Sequence, residues 1–192
     1  LDLSFVPIAE AIQDRCPTIK AYVILTDRAH MPETKLKNAL CYEDLIAAED
    51  EDFEWVTVDE RSAAGLCYTS GTTGNPKGVV YSHRSNVLHG MAVNMADVLG
   101  LRTVDAILPI VPMFHANAWG IAFAAPMSGA KLVMPGGKLD GPSVHQLLES
   151  EGVTVTAAVP TVWLGLLQYL DSDKTKRLDK LERVVVGGAA CP

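Results

Sequence analysis

The sequence has little of what nucleic-acid-binding, membrane-spanning and metal-binding proteins need. Its net charge is −7, so it offers no basic stripe to neutralise a nucleic-acid backbone. It contains no run near the ~20 apolar residues of a membrane span, and no stretch has the pattern of a signal peptide. Its four cysteines show no CxxC spacing, which disfavours a zinc site or a redox motif. These are Cys16, Cys41, Cys67 and Cys191. We therefore expect a cytoplasmic protein, where scattered thiols stay reduced, that binds no nucleic acid and has no transmembrane segment.

The composition is that of a soluble globular protein, with 48% apolar and 20% charged residues in a chain of 192. This length suits one domain or a large part of one. The chain lacks an initiator Met and stops just after a glycine-rich turn at residues 187–189. We therefore expect residues 1–192 to be a single fragment of a longer protein.

The order of apolar runs predicts an α/β fold. From about residue 79 onward, short β-rich runs alternate with helical patterns, which is typical of a mostly parallel sheet with helices on both faces. A helix is expected from about residue 83 to 95, with Ser82 or Ser85 as its N-cap, and another over 118–125. Ligands of such sheets bind beyond the carboxyl ends of the strands. The loops at 112–119 and 187–191 lie at such ends.

The strongest candidate site is the loop at residues 69–78, which holds three glycines, three threonines, one serine and one lysine. Glycines let backbone N–H groups approach a phosphate, hydroxyls bind phosphate oxygens or Mg²⁺, and a lysine adds positive charge. The alternative is a flexible linker, which the placement of Pro76 and Lys77 between apolar strands disfavours. The candidate residues are Thr69, Ser70, Gly71, Thr72, Thr73, Gly74 and Lys77.

Two further segments follow strand ends. The first reads Pro-Met-Phe-His-Ala-Asn-Ala-Trp over residues 112–119 and contains His115 and Trp119, for which ordinary packing is the alternative. The second is a β-run that ends in Gly187 and Gly188, a chain reversal that would expose backbone to a ligand or would be a plain turn.

These segments resemble the adenylate-forming superfamily, which includes acyl-CoA synthetases, firefly luciferases and peptide-synthetase adenylation domains. The loop wording at residues 68–78 carries the resemblance, and the His-Ala-Asn-Ala-Trp wording is most similar to long- or medium-chain fatty acyl-CoA synthetases. The resemblance implies part of the large N-terminal AMP-binding domain of such an enzyme. It also implies a two-step reaction. A carboxylate attacks the α-phosphate of Mg²⁺-bound ATP to give acyl-AMP and pyrophosphate, and the thiol of coenzyme A then displaces AMP.

The resemblance also implies roles for single residues. Thr69 falls where the family places a threonine near Mg²⁺, and Lys77 falls on the lysine of the phosphate loop. His115 would lie between the nucleotide and the acyl tunnel, and Trp119 would gate that tunnel.

The remaining assignments concern the far end of the chain. Gly187 and Gly188 would border the nucleotide, and Ala189 the acyl group. Trp163 would help to wall the substrate pocket, although core packing suits it equally. No catalytic residue is expected in this chain, because the family's catalytic lysine belongs to its C-terminal domain.

The expected partners are a fatty acid, ATP and CoA, with peripheral membrane contact and a homodimer left open. One alternative is a CoA ligase for another small carboxylate, such as an aryl or sulfur-containing acid. Another is a non-catalytic nucleotide-binding module. A luciferase-like or peptide-synthetase domain is disfavoured by the His-Ala-Asn-Ala-Trp wording. Alone, residues 1–192 are expected to be inactive, since they lack the groups that would stabilise developing charge.

Overall fold

The computed structural model describes residues 1–69 and 74–191, and the chain divides into two compact units, Leu1–Thr57 and Val58–Pro192. The first unit contains α1 (Val6–Ile12), β1 (Tyr22–Ile24), β2 (Ala39–Cys41) and α2 (Tyr42–Ala47). β1 and β2 pair in parallel, and Val6, Ala9 and Ile24 are among the residues of a small apolar core. The short strand β2 was not predicted from the sequence.

The second unit begins with an antiparallel hairpin of β3 (Ala63–Thr69) and β4 (Lys77–Ser82). Helix α3 (His83–Val93) follows directly. The Ser82 hydroxyl accepts a hydrogen bond from the backbone N–H of Ser85 at 3.1 Å, which identifies Ser82 as the N-cap. The hairpin forms its own sheet, so β4 is not part of the parallel sheet.

A four-stranded parallel sheet forms the rest of the second unit, with strand order β6-β5-β7-β8. Its strands alternate with helices along the chain, and α4 and α5 follow β5 without an intervening strand. The elements are β5 (Ala106–Pro109), α4 (Ala116–Trp119), α5 (Ile121–Ser128), β6 (Lys131–Leu132), α6 (Gly141–Ser150), β7 (Val155–Ala158), α7 (Pro160–Asp171) and β8 (Arg183–Val186).

Helices cover both faces of this sheet. Ile107 of β5 packs in one buried cluster with residues of α3 and α5, including Ile121. Its neighbour Leu108 packs in a second cluster with residues of α6 and α7, including Val144 and Leu166. Successive strand residues point to opposite faces, and burying each large aliphatic side chain contributes about 1.5–3 kcal/mol. The predicted α/β class, a mostly parallel sheet with helices on both faces, is confirmed.

One predicted helix is wrong in its first half. The sequence favoured a continuous helix over 118–125, but α4 is a single left-handed turn with φ angles of 47°, 51°, 52° and 56° at residues 116–119. The right-handed helix α5 begins only after Gly120, whose φ is 79°. The run of small apolar residues favours a right-handed helix locally, so periodicity alone did not reveal the reversal.

A polar network lies at the amino ends of the strands. The Asp105 side chain is fully buried and accepts hydrogen bonds from the Arg102 guanidinium at 2.9 Å, the Arg183 guanidinium at 2.7 Å and the Thr154 hydroxyl at 2.9 Å. Arg102 also pairs with the exposed Glu182 at 3.0 Å. The Arg102 hydrogen bonds, followed by those from Arg183 and Thr154, hold the pKa of Asp105 well below its usual range. The network joins β5, β7 and β8 where each begins.

Candidate active site

The hairpin carries the predicted phosphate loop at its tip. Thr69 and Lys77 are cross-strand partners at the last paired position of β3 and β4, and both are exposed. Ser70, Gly71, Thr72 and Thr73 lie outside the described residues. Gly74 follows them with a φ of 123°, a conformation that residues with a side chain rarely adopt. A hydroxyl and an ammonium group therefore stand opposite each other at the base of the loop.

The left-handed turn holds the second predicted segment. His115 precedes the turn and is exposed, and its carbonyl accepts a hydrogen bond from the N–H of Ala118 at 3.1 Å. Trp119 ends the turn and is half-buried against the core cluster that contains Ile121. The carbonyl of Ala116 accepts from the N–H of Gly120 at 3.1 Å, which closes the turn.

Contacts from β3 and α3 hold this turn, and sequence reasoning did not identify them. The Cys67 thiol of β3 donates to the side-chain oxygen of Asn117 at 3.6 Å. The Nε2 atom of His89 on α3 lies 3.2 Å from the carbonyl oxygen of Trp119, to which it donates. A methyl group built on Gly120 would lie 2.3 Å from the ring of His89, so the imidazole rests directly on the glycine backbone. The only sequence signal was the pair of Asn117 and Gly120, the residue types that most readily adopt positive φ.

The glycine turn after β8 meets the Trp119 side chain. A methyl group built on Gly187 would lie 2.7 Å from Cη2 of Trp119, so the indole lies against this backbone. Gly188 has a φ of 83°, and a methyl group there would lie 3.1 Å from Val159. Ala189 is exposed. The structure thus brings together the two strand-end loops that the sequence selected.

Trp163 lies on α7 and packs against the other cluster, the one that contains Leu108 and Leu166. It lines an apolar cavity of about 430 Å³ between α7 and β8. In the described part of the chain its indole Nε1 is buried and has no hydrogen-bond partner. The structure does not bring Trp163 into the cluster that holds Trp119, and its role at the substrate stays a prediction.

A second cavity, of about 340 Å³, lies between the hairpin, α3 and the left-handed turn. The side-chain Nδ2 of Asn86 is buried beside it and, within residues 1–69 and 74–191, has no hydrogen-bond partner. The wall carries several polar side chains close to the turn. The lining includes Tyr81, Asn86, His89, Ala116, Asn117 and Gly120.

The residues at the loop fit a phosphate better than a bare metal ion. Mg²⁺ takes oxygen ligands, and a nucleotide-bound ion obtains several of them from phosphates. Thr69 supplies one hydroxyl oxygen here. Among the residues that the structure describes, no group of three or more His, Cys, Asp or Glu side chains is placed to hold a metal. Thr69 fits as one protein oxygen ligand of an Mg²⁺ that arrives bound to ATP.

No helix in the described ranges is long and apolar enough to cross a bilayer.

Comparison with known proteins gives a consistent result. The family model described as AMP-binding enzyme matches residues 6–192. The chain is 50% identical over 192 residues to a medium-chain-fatty-acid–CoA ligase of Ectopseudomonas oleovorans, covering 100% of this chain and 35% of that protein. It is 47% identical over 191 residues to a 3-methylmercaptopropionyl-CoA ligase of Ruegeria lacuscaerulensis, with the same coverage of 100% and 35%.

Among solved structures, an anthranilate CoA ligase in complex with anthranoyl-AMP superposes with a TM-score of 0.80 at 24% identity, covering 100% of this chain and 36% of that one. At this identity the likeness concerns the fold alone. The chain spans about a third of the length of the curated relatives it matches.

Proposed function

Because the chain belongs to the AMP-binding enzyme family, we propose that it is the phosphate-loop segment of an ATP-dependent, AMP-forming acyl-CoA ligase. The whole protein would join a carboxylic acid to AMP with release of pyrophosphate, and would then transfer the acyl group to the thiol of CoA with release of AMP.

One contact carries this proposal. Asn117, in the turn between His115 and Trp119, accepts a hydrogen bond from Cys67, which lies two residues before Thr69 on the strand that leads into the loop. The strand that supports the phosphate loop therefore touches the turn that carries His115 and Trp119. Adenylation needs this arrangement, because the carboxylate must reach the α-phosphate while both are held in place.

Each group has a task in this scheme. Lys77 and Thr69 would bind the phosphates of ATP, together with backbone N–H groups of the loop. Mg²⁺, which Thr69 would help to hold, would neutralise phosphate charge. His115 would lie at the junction of nucleotide and acid, Trp119 would border the acyl chain, and Gly187 and Gly188 would let the nucleotide approach the backbone. The lysine that would stabilise the developing charge is expected outside this chain.

We propose a medium- or long-chain fatty acid as the substrate, in line with the 50% identical fatty-acid ligase. A short sulfur-containing acid is the second candidate, because the 47% identical relative is named as a ligase for such an acid. The contact of Trp119 with Gly187 bears on this choice, since it sets the position of the indole that would border the acyl chain. We place the protein in the cytoplasm, with a peripheral membrane contact for lipid substrates and a homodimer as further proposals.

The test is an ATP–pyrophosphate exchange assay on the full-length protein with acids from C2 to C18, 3-methylmercaptopropionate and benzoate. We expect exchange to depend on added acid and to be fastest with C6 to C16 fatty acids. Faster exchange with benzoate or the sulfur acid would overturn the fatty-acid assignment. Absence of acid-dependent exchange would overturn the ligase itself. Residues 1–192 assayed alone should give no exchange.

A further inference from the structure

The left-handed turn has an energetically unfavourable backbone conformation. Four consecutive residues with side chains, residues 116–119, have φ between 47° and 56°. A residue with a side chain is strained in this region, and such a conformation persists only where its surroundings fix it. The hydrogen bonds inside the turn, such as Gly120 N–H to the Ala116 carbonyl, would be replaced by similar bonds in a right-handed turn. Contacts from outside the turn must therefore select its hand.

His89 makes two such contacts at the carboxyl end of the turn. Its Nε2 donates to the Trp119 carbonyl at 3.2 Å, and Trp119 has a φ of 56° in this arrangement. Its ring also occupies the place where a side chain on residue 120 would stand, 2.3 Å from an ideal Cβ. Gly120 and His89 are therefore matched, because the glycine leaves room for the ring and the ring fixes the carbonyl beside it.

The conformation of the turn also determines where the Trp119 indole lies, in the part of the site proposed to bind the acid. Trp119 ends the turn, and its indole lies against Gly187 in the other strand-end loop. If the Trp119 carbonyl were released, rotation of the Trp119 backbone toward negative φ would swing the indole away from Gly187. Thr69 and Lys77 would keep their places, because the β3–β4 ladder holds them.

We propose that His89 is a positioning residue that holds the left-handed turn and thereby sets the Trp119 indole against Gly187 for binding of the acid. This inference rests on the proposed ligase function for its kinetic consequences. It predicts that loss of His89 lowers kcat/KM for the acid and leaves KM for ATP nearly unchanged.

The kinetic test uses the full-length protein with three variants. His89→Ala removes both contacts, and His89→Gln keeps a donor at similar reach. His145→Ala is the matched control. His145 lies on α6, which packs in the other cluster, and its Nε2 also donates to a backbone carbonyl, that of Arg177, at 3.0 Å. We expect His89→Ala to lower kcat/KM for the acid about tenfold, because small misplacements in a site have effects of this size. KM for ATP should stay within about twofold, since misplacing the acid leaves uniform ATP binding intact.

His89→Gln should restore most of the acid kcat/KM, and His145→Ala should match the wild type. Equal losses for acid and ATP in His89→Ala, or wild-type kinetics, would overturn the positioning role while leaving the ligase proposal intact. A wild type without acid-dependent exchange would instead count against the ligase proposal.

A second test does not depend on activity. Gly120→Ala, His89→Ala and the double variant are compared by thermal unfolding. In the wild-type background the new methyl group meets the His89 ring, so we expect a clear loss of Tm. In the His89→Ala background only the positive φ remains unfavourable, so the additional loss should be smaller. Additive shifts in Tm would show that His89 and Gly120 do not act together, and would overturn the proposal.

Discussion

The two ends of the parallel sheet are built in opposite ways. At the amino end, the buried Asp105 carboxylate is shared among Arg102, Arg183 and Thr154, and its contacts with Arg183 and Thr154 tie one strand to another. At the carboxyl end, the chain leaves the strands through glycine turns and a left-handed turn, and the exposed His115 lies beside them. Charge at the amino end is already neutralised inside the protein. The carboxyl end keeps backbone and side chains accessible to a ligand.

The comparison separates residues that stabilise the fold from residues that are placed to bind a ligand. In open α/β sheets, ligands bind beyond the carboxyl ends of the strands, and the left-handed turn at residues 116–119 follows the carboxyl end of β5. Changes at the amino end should therefore alter stability without altering substrate use. Changes at the carboxyl end and in the hairpin should alter substrate use.

The largest effect is expected for Asp105→Ala. Removing this carboxylate leaves Arg102 and Arg183 without their buried partner, which should lower the free energy of unfolding by about 3 kcal/mol. Urea denaturation of the full-length protein measures this change in the free energy of unfolding. Glu182→Gln is the control, because the exposed Glu182–Arg102 pair should contribute less than about 1 kcal/mol. A loss of kcat/KM in the folded fraction of Asp105→Ala would contradict the separation of the two ends.

Lys77→Ala should have the next largest effect, on catalysis alone. Loss of a positive charge at the phosphates should lower kcat/KM for ATP about hundredfold, as for other groups that stabilise transition-state charge. The Tm should not change, because Lys77 is exposed. Lys174→Ala serves as the control, since Lys174 pairs with Asp171 on the surface. ATP kinetics like those of the wild type would argue against a phosphate role for Lys77.

Low pH should lower the stability that the Asp105 network provides at the amino end of the sheet. The pKa of Asp105 is lowered in the folded protein, so its ionised form contributes stability that is complete above the ordinary aspartate pKa of about 4 and is lost as the pH falls further. Below that pH, unfolding free energy should fall more steeply in the wild type than in Asp105→Asn, by up to about 1.4 kcal/mol per pH unit. Parallel curves in a urea series from pH 5 to pH 2.5 would contradict this expectation.

The smallest effect is expected for Gly187→Ala, which tests the carboxyl end. Its new methyl group would meet Cη2 of Trp119 and displace the indole. We expect kcat/KM for the preferred acid to fall about fivefold, roughly 1 kcal/mol, with a changed order of preference among chain lengths. Gly137→Ala is the control, because a methyl group on Gly137 would have no neighbour within 4 Å. An unchanged acid profile would speak against Trp119 as a residue that borders the acyl chain.

Much of the fold could be predicted from local signals. The cap at Ser82 needs only a hydroxyl before a helical pattern, and the alternation of strands with helices after residue 105 indicates a parallel sheet. Both are properties of neighbouring residues. The loops at 112–119 and 187–191 were selected by the same reasoning, because they follow strands.

The rest depends on partners that are distant in the sequence. Asp105 contacts Thr154 and Arg183, which lie 49 and 78 residues further along the chain. His89 lies 30 residues before Trp119, and no pattern in the helix α3 marks it. Without these contacts, the residues around Trp119 favour an ordinary right-handed helix, which explains the error at 118–125.

The hand of the turn also limits how the acid specificity could be redesigned. A library at residues 116–118 would naturally include valine, isoleucine, threonine and proline, to vary the shape beside Trp119. β-Branched side chains strongly disfavour positive φ, and proline fixes φ near −65°, so those members would lose the turn before they could present a new surface. Productive diversity at these positions is confined mainly to glycine, asparagine, aspartate and alanine. In the proposed scheme, a search for new acid specificity has more freedom at the cavity beside the turn, at Tyr81 of β4 and Asn86 of α3, than in the turn itself.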